Sequence, residues 1–441
     1  MHNKKTLTLS LLMTLGVSIT SFSFIYSHQN FKKVEAISTS GCTYLSTLPT
    51  SIDLNDVDDD EIRAYYSNLN DLDESELTGT NLLKNLKPIL KEMNYFSYDN
   101  IWKIYEITDR DWELSPAIED VYGNYNSETN IYSHYSYSSS NTNTKNNPYV
   151  HTLYRNPGNA DGYITNWGDH DVTGTNREHV WCQSRGFKAS KGAEGPAGTD
   201  LHHLKSGDGR VNQMHHNNNP YGYVKTQDSQ TISYNEQYPF LSGNKRGTAL
   251  HTSSNDKSNV VFEPQDCDKG DIARACFYMV ARYNNLSGID TISQFEPNLT
   301  LVNYATSNSA SEISSDTTPV SMGILQDLLE WNKLDPVDDY EIHRNNLIYK
   351  NYQGNRNPFI DFPQWADYIW GTCVDGNYSA TPTGSADYLN DKIASTNLKI
   401  SKYSVNIAPN ESISIFGTTA DDSAISWTLE DDNLVSIDKI S

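Results

Sequence analysis

The feature that most constrains this chain is a pair of blocks, Asn176-Arg177-Glu178-His179-Val180-Trp181 and Thr199-Asp200-Leu201-His202-His203-Leu204, the second running on through Ser206-Gly207-Asp208-Gly209 to Arg210-Val211-Asn212. Both blocks read as extended segments. Asp208 is placed to cap a helix beginning near Gly209, which puts Asn212 close to the helix start. A strand, a second strand and a helix in this order bring together a carboxylate, a histidine and an amide oxygen. Histidine titrates near neutrality and can take a proton from water. Carboxylate and amide oxygens suit a hard divalent cation such as magnesium, which keeps several waters. A base and such a cation are what phosphodiester hydrolysis needs, because water must be activated and negative charge on the phosphoryl group and leaving oxygen absorbed.

The alternation of a strand sets a condition on this reading. Successive side chains point to opposite faces, so Glu178 and His179 share one site only if the backbone bends there or the glutamate reaches far. The same alternation turns one of His202 and His203 inward, as a hydrogen-bonded core histidine that orients the site.

Further blocks extend the pattern: Phe262-Glu263-Pro264, Lys269-Gly270-Asp271-Ile272-Ala273-Arg274 with Phe277-Tyr278-Met279, and Asn355-Arg356-Asn357-Pro358-Phe359-Ile360-Asp361. With the first two they resemble, in order, the blocks of the endonuclease I family of secreted bacterial nucleases, members of the ββα-metal (His-Me) finger superfamily. The resemblance spans Asp60 to Val374. It implies an α+β fold, with a ββα-metal finger core embedded in a mostly helical and loop-rich domain. It also implies a general base at His179, magnesium held by Glu178 and Asn212, and a nucleic acid substrate, RNA and/or DNA, cut with little sequence preference. Arg185, Arg210 and Arg274 are candidates to hold the scissile phosphate. Two positions depart from the family. Cys182 stands where proline usually follows the tryptophan, leaving that turn less rigidly specified, and His215 stands where an arginine usually follows the asparagine by three.

A formal charge of −23 argues, taken globally, against a polyanionic partner. Phosphate contacts are local, and between Asn176 and Lys225 the cations Arg177, Arg185, Lys188, Lys191, Lys205, Arg210 and Lys225 outnumber the acids. Two readings of other classes remain open. A zinc hydrolase or structural zinc site could use His202, His203, His215, His216 and Cys182, although their spacing matches no zinc pattern. Alternatively, a cell-surface binding protein could carry an inert nuclease domain, against which stand the intact Glu178, His179 and Asn212.

Around the motif region, Lys4 and Lys5 followed by an apolar run from Leu7 to Tyr26 predict a signal peptide over residues 1–36 and a secreted protein with no membrane-embedded mature domain. Residues 37–59 read as an acidic lead-in, and 60–374 as the nuclease domain. Apolar spacing predicts helices over Leu82–Met93, Asp99–Ile107, Gly270–Tyr283, Gly323–Lys333 and Tyr340–Tyr349. Residues 125–147 read as an exposed loop and 375–395 as a linker. Residues 396–441 alternate apolar and polar positions and resemble the opening of a bacterial immunoglobulin-like domain of the type found on surface proteins. Such a sandwich needs on the order of 100 residues, so this all-β segment is partial. The five cysteines predict no essential disulfide.

Overall fold

Leu82, Leu83, Leu86, Ile89 and Leu90 form one apolar stripe along helix α1 (Gly79–Lys91), and all five are buried. The stripe packs on α2 (Lys269–Tyr283), every residue of which is buried, and α3 (Leu325–Leu334) packs on α2 as well. The computed structural model describes residues 38–39, 41–112, 125–134, 136–137, 150–155, 175–187, 195–229, 243–252, 259–286, 296–306, 312–315, 317–394, 398–400 and 417–419.

A helix buried on every side cannot leave its charges unpaired, because an uncompensated buried ion costs several kcal/mol. Each charge of α2 has its partner. Lys269 donates to Glu263 and Asp266, Asp271 accepts from Lys205 at 2.6 Å, and Arg282 donates to Glu296 at 2.8 Å. Arg274 forms a two-pronged pair with Glu341 at 2.7 and 2.6 Å. Glu341 belongs to α4 (Asp339–Leu347), whose first turn is capped by the Asp338 carboxylate. Gly270 marks the closest backbone approach, since a Cβ there would stand 1.9 Å from the Asp335 carbonyl oxygen.

Short sheets surround these helices, giving an α+β fold. Val224–Gln227, Lys245–Ala249 and Val260–Glu263 form an antiparallel three-stranded sheet. The pair that matters for the site is β1 (Thr175–His179) and β2 (Leu204–Asp208), antiparallel and in register from Thr175 opposite Asp208 to His179 opposite Leu204. The buried Lys205–Asp271 ion pair ties β2 to α2.

The predicted helices all occur, with ends shifted by a few residues. Three expectations need correction. The acidic lead-in does not stay a solvated linker at its end: Asp58 caps the helix Asp59–Tyr65, with Asp59, Asp60 and Glu61 in its first turn, where carboxylates favour the positive end of the helix dipole. Within the predicted loop, Tyr125–Asn126 pairs with Ile131–Tyr132 as a hairpin, and Tyr132 is buried. Residues 375–394, read as linker, lie against the helical domain. Ala386, Tyr388 and Ile393 join the main core, Arg63 donates to the Tyr388 carbonyl, and the Trp365 indole donates to Asp391 at 2.7 Å. Ser, Thr and Gly dominated the composition, but three apolar residues decide the packing. A chain ended at Ala386 should therefore unfold at a lower temperature than one ended at Ala394. The loss of the buried Tyr388 and Ile393 side chains is worth about 2–5 kcal/mol. Equal melting of the two truncates would contradict this packing.

All five cysteines are free, with Cys267 just before α2 and Cys276 inside it. Among the described residues no helix is long and apolar enough to cross a membrane. The predicted signal peptide lies outside the described residues. So does most of the predicted immunoglobulin-like segment, of which the antiparallel strands Leu398–Ile400 and Gly417–Thr419 are described.

Candidate active site

The β1/β2 ladder runs without a bulge through its last pair, so Glu178 and His179 leave β1 on opposite faces. Of the two expected routes, a bend at Glu178 or a long reach of its side chain, the bend is absent. The chain turns one residue later, where the Val180 N–H donates to the His203 carbonyl at 3.1 Å and the Trp181 N–H to His203 Nδ1 at 3.4 Å.

On one face Glu178 is buried, and its Oε1 accepts hydrogen bonds from the Tyr154 hydroxyl and from His216 Nδ1, each at 2.7 Å. No described residue donates to its Oε2. The carboxylate fits because residue 207 across the ladder is glycine: a Cβ there would stand 2.6 Å from Glu178 Cβ. Burial alone would lower the pKa of His216, but the neighbouring Cys182 and Glu178 outweigh it and raise it to about 10. The bond to the carboxylate favours the protonated ring.

On the other face His179 is half-buried at the end of the strand. Its Nε2 lies 2.8 Å from the Gly198 carbonyl oxygen, and the Gln183 amide is 3.0 Å from the same nitrogen. A carbonyl only accepts, so the shorter Gly198 contact requires the tautomer with the hydrogen on Nε2, which leaves the Nδ1 lone pair open and gives the Gln183 N–H no acceptor there. No described residue bonds to Nδ1. Removal from water pulls the pKa of this histidine down to about 3, reinforced by His203 and by the charge of Arg177 against the opposing Gly198 carbonyl. The ring is thus neutral around pH 7. Tyr98 stacks on it, centroids 5.6 Å apart, and the Arg177 guanidinium lies 3.6 Å from the centroid of the same tyrosine.

Asn212 sits in a short wide helical turn, Val211–His216, started by Asp208, whose Oδ1 accepts from the Arg210 and Val211 N–H groups at 3.0 Å. The turn is wound with an i to i+5 bond, from the Asn217 N–H to the Asn212 carbonyl at 2.7 Å, a geometry that recurs at functional sites. Residues four apart share a side of such a turn, so Asn212 lies on the side from which His216 reaches Glu178. The Asn212 side chain is half-buried and bonds to no described residue.

His202 and His203 do not alternate. Residues 201–203 form a turn, the strand starts at Leu204, and both rings are buried. Their Nε2 atoms bond to backbone carbonyls, His202 to Asn355 at 3.1 Å and His203 to Ala197 at 2.6 Å. Burial draws both down to about 4. Both rings therefore point inward, and it is His203 that meets the turn after His179, through the Trp181 N–H. Beside them Asp200 accepts from the hydroxyls of Tyr278 and Tyr283 at 2.8 and 2.9 Å and from the Gln353 amide at 3.1 Å, which joins two of the motif blocks.

The cations need correction. Arg274 is committed to Glu341, and Arg185, fully buried, donates to the Asn218 carbonyl and the Thr306 hydroxyl at 3.0 Å. Lys205 pairs with Asp271 and Arg177 covers Tyr98, so much of the local positive balance is spent inside the fold. Lys188 and Lys191 lie outside the described residues. Of the three arginine candidates only Arg210, half-buried and two residues before Asn212, reaches the surface. Cys182 does not loosen its turn. Its thiol donates to the Asn217 carbonyl at 2.9 Å and lies 3.9 Å from His216 Nε2, tying the end of β1 to the helical turn. The geometry gives the zinc reading no support: Nε2 of His202 and of His203 each bond to a backbone carbonyl. Among the described residues no group of three or more His, Cys, Asp or Glu could hold a metal.

Tyr154, His216, Tyr98 and the Gly198 carbonyl were not singled out as parts of this site from sequence. His216 carried a signal, as one of a histidine doublet, but it was weighed only as a zinc ligand. Tyr154 lies outside every motif block.

The family profile described as Endonuclease I matches residues 78–364. The chain is 33% identical over 335 residues to an extracellular ribonuclease of Bacillus amyloliquefaciens, covering 76% of this chain and 87% of that protein. It is also 33% identical over 298 residues to an extracellular ribonuclease of Bacillus subtilis (strain 168), covering 66% of this chain and 75% of that one.

Proposed function

The chain belongs to the endonuclease I family and is a nuclease, and from that premise we propose that it is secreted and hydrolyses phosphodiester bonds of RNA and/or DNA with little sequence preference. His179 is the general base, and Glu178 and Asn212 hold one magnesium ion. RNA comes first as substrate, since both relatives carry the name extracellular ribonuclease. The observation that carries this reading is the commitment of His179 Nε2 to the Gly198 carbonyl, which leaves a neutral ring with its Nδ1 lone pair open at the strand end.

The residues fit a hard divalent cation. Glu178 keeps one carboxylate oxygen to which no described residue donates, and the Asn212 amide is likewise unbonded among them. One carboxylate and one amide are few ligands, as suits magnesium and not a zinc site. When bound, the ion supplies positive charge for the phosphoryl group and the leaving oxygen. In this reading Nδ1 of His179 takes the proton of the attacking water. In an in-line displacement the attacking and leaving oxygens lie on opposite sides of phosphorus. The reading requires the turn after His179 to bring its ring and the Glu178 carboxylate to one phosphate, the base on the attacking side and the cation on the leaving side. We assign phosphate contact to Arg210, the candidate arginine that reaches the surface. The sequence carries no groove-reading motif, so phosphate contacts are expected to dominate and sequence preference to be weak.

The test is cleavage of long RNA and of DNA by the purified protein. A chelator should abolish cutting, magnesium should restore it, and the cut sites should share no sequence. Cutting that survives chelation, returns only with zinc, or occurs at a single sequence would overturn the reading.

A further inference from the structure

Glu178 is held by two residues that lie in separate segments and make their bonds to the same oxygen. The Tyr154 hydroxyl and His216 Nδ1 both meet Oε1 at 2.7 Å. The tyrosine is fixed with unusual care. Its φ is +71°, a left-handed conformation that a residue with a bulky side chain rarely adopts. Such a conformation persists only where the surroundings over-determine it. Here they do. Leu153, just before it, bonds through its N–H and carbonyl to Ser206 and Asp208 of β2. The Tyr154 N–H donates to Asp268 at 2.6 Å, and its carbonyl accepts from the Asn244 amide at 2.9 Å. The ring packs edge-on against Phe262, and the hydroxyl also lies 3.0 Å from that of Tyr221.

His216 is fixed in a comparable way. It stacks on Tyr221 with ring centroids 4.6 Å apart, and Cys182 lies 3.9 Å from its far nitrogen. Both groups are fully buried, so neither has another plain use as a surface contact. A backbone held in a disfavoured region to place one hydroxyl on one carboxylate oxygen is the mark of a group that positions another.

We propose that Tyr154 and His216 are positioning residues for Glu178, occupying Oε1 so that Oε2 is the oxygen this carboxylate offers to a divalent cation. The inference rests on the reading of Glu178 as a metal ligand. Partners of this kind orient first ligands, and their loss ordinarily lowers metal affinity by about 10–100-fold.

The test uses Tyr154→Phe, which keeps the ring and removes only the hydroxyl, and the matched pair His216→Gln and His216→Leu, of which only the first retains a donor. Manganese binding to the purified protein without substrate is followed by electron paramagnetic resonance, and the magnesium giving half-maximal cleavage is measured beside it. Tyr154→Phe should bind manganese about 10–100-fold more weakly and need correspondingly more magnesium for half-maximal cleavage. His216→Gln should bind better than His216→Leu. Glu178→Gln, measured in parallel, separates the two levels. If Glu178→Gln weakens manganese binding and Tyr154→Phe does not, the positioning role is overturned and the ligand reading stands. If neither changes binding, both fall. Should Tyr154→Phe fail to fold, the His216 pair decides, and equal affinity of Gln and Leu overturns the proposal.

Discussion

Replacing His179 with alanine should lower single-turnover cleavage by roughly 10²–10⁴-fold, the usual worth of general base catalysis, while substrate and metal still bind. The expectation follows from where the ring stands. It is half-buried at the end of β1, its Nε2 is taken by the Gly198 carbonyl, and its Nδ1 has no bond among the described residues. The fold loses the contacts of Nε2 with the Gly198 carbonyl and the Gln183 amide and a stack on Tyr98, a modest cost beside the loss of the proposed base. Glu178 keeps its bonds to Tyr154 and His216 on the opposite face. Added imidazole should restore part of the rate if the vacated space admits it, since the missing function is proton removal. Circular dichroism and melting of the variant check that the fold survives.

Glu178→Gln and Asn212→Ala should both raise the magnesium needed for half-maximal cleavage, but they should differ in stability. Glu178 is half of a buried pair with His216, whose pKa is raised to about 10. Without the carboxylate charge the buried ring gives up its proton and a strong hydrogen bond is weakened, a change that costs on the order of 1–3 kcal/mol. Asn212 makes no side-chain bond to described residues, so its truncation leaves stability nearly unchanged. Magnesium titrations of cleavage, set beside urea melts of each variant, read both effects. Unchanged magnesium curves for both variants would remove the proposed site. Equal stability of Glu178→Gln and wild type would show that the His216 pair contributes little.

What could be read from sequence was what is local. Glu178, His179 and Asn212 lie in short blocks whose strand, turn and cap signals sit side by side, and their placement in the β1/β2 pair and the following turn agrees with that reading. The helices announce themselves through apolar spacing, as Leu82, Leu86, Ile89 and Leu90 do in α1. What could not be read depends on partners distant in the chain. Arg274 looks like a phosphate-binding cation until Glu341, 67 residues away, closes on it. Lys205 looks basic until Asp271 neutralises it within the core. Residues 375–394 have the composition of a linker, and only the fold shows that Tyr388 and Ile393 find apolar neighbours. Tyr154 is the extreme case, because its role rests on a backbone conformation and a hydroxyl contact across 24 residues, and no local pattern encodes either.

The central claim is a division of labour at one strand end, proton removal on one face by His179 and cation holding on the other by Glu178. Manganese binding measured beside single-turnover cleavage at saturating magnesium, in wild type, His179→Ala and Glu178→Gln, tests it most directly. The account predicts that His179→Ala binds manganese as wild type does yet cuts at least about 10²-fold more slowly, and that Glu178→Gln binds manganese weakly. A His179→Ala protein that cuts at the wild-type rate across neutral pH, or that loses metal binding together with its rate, would contradict it.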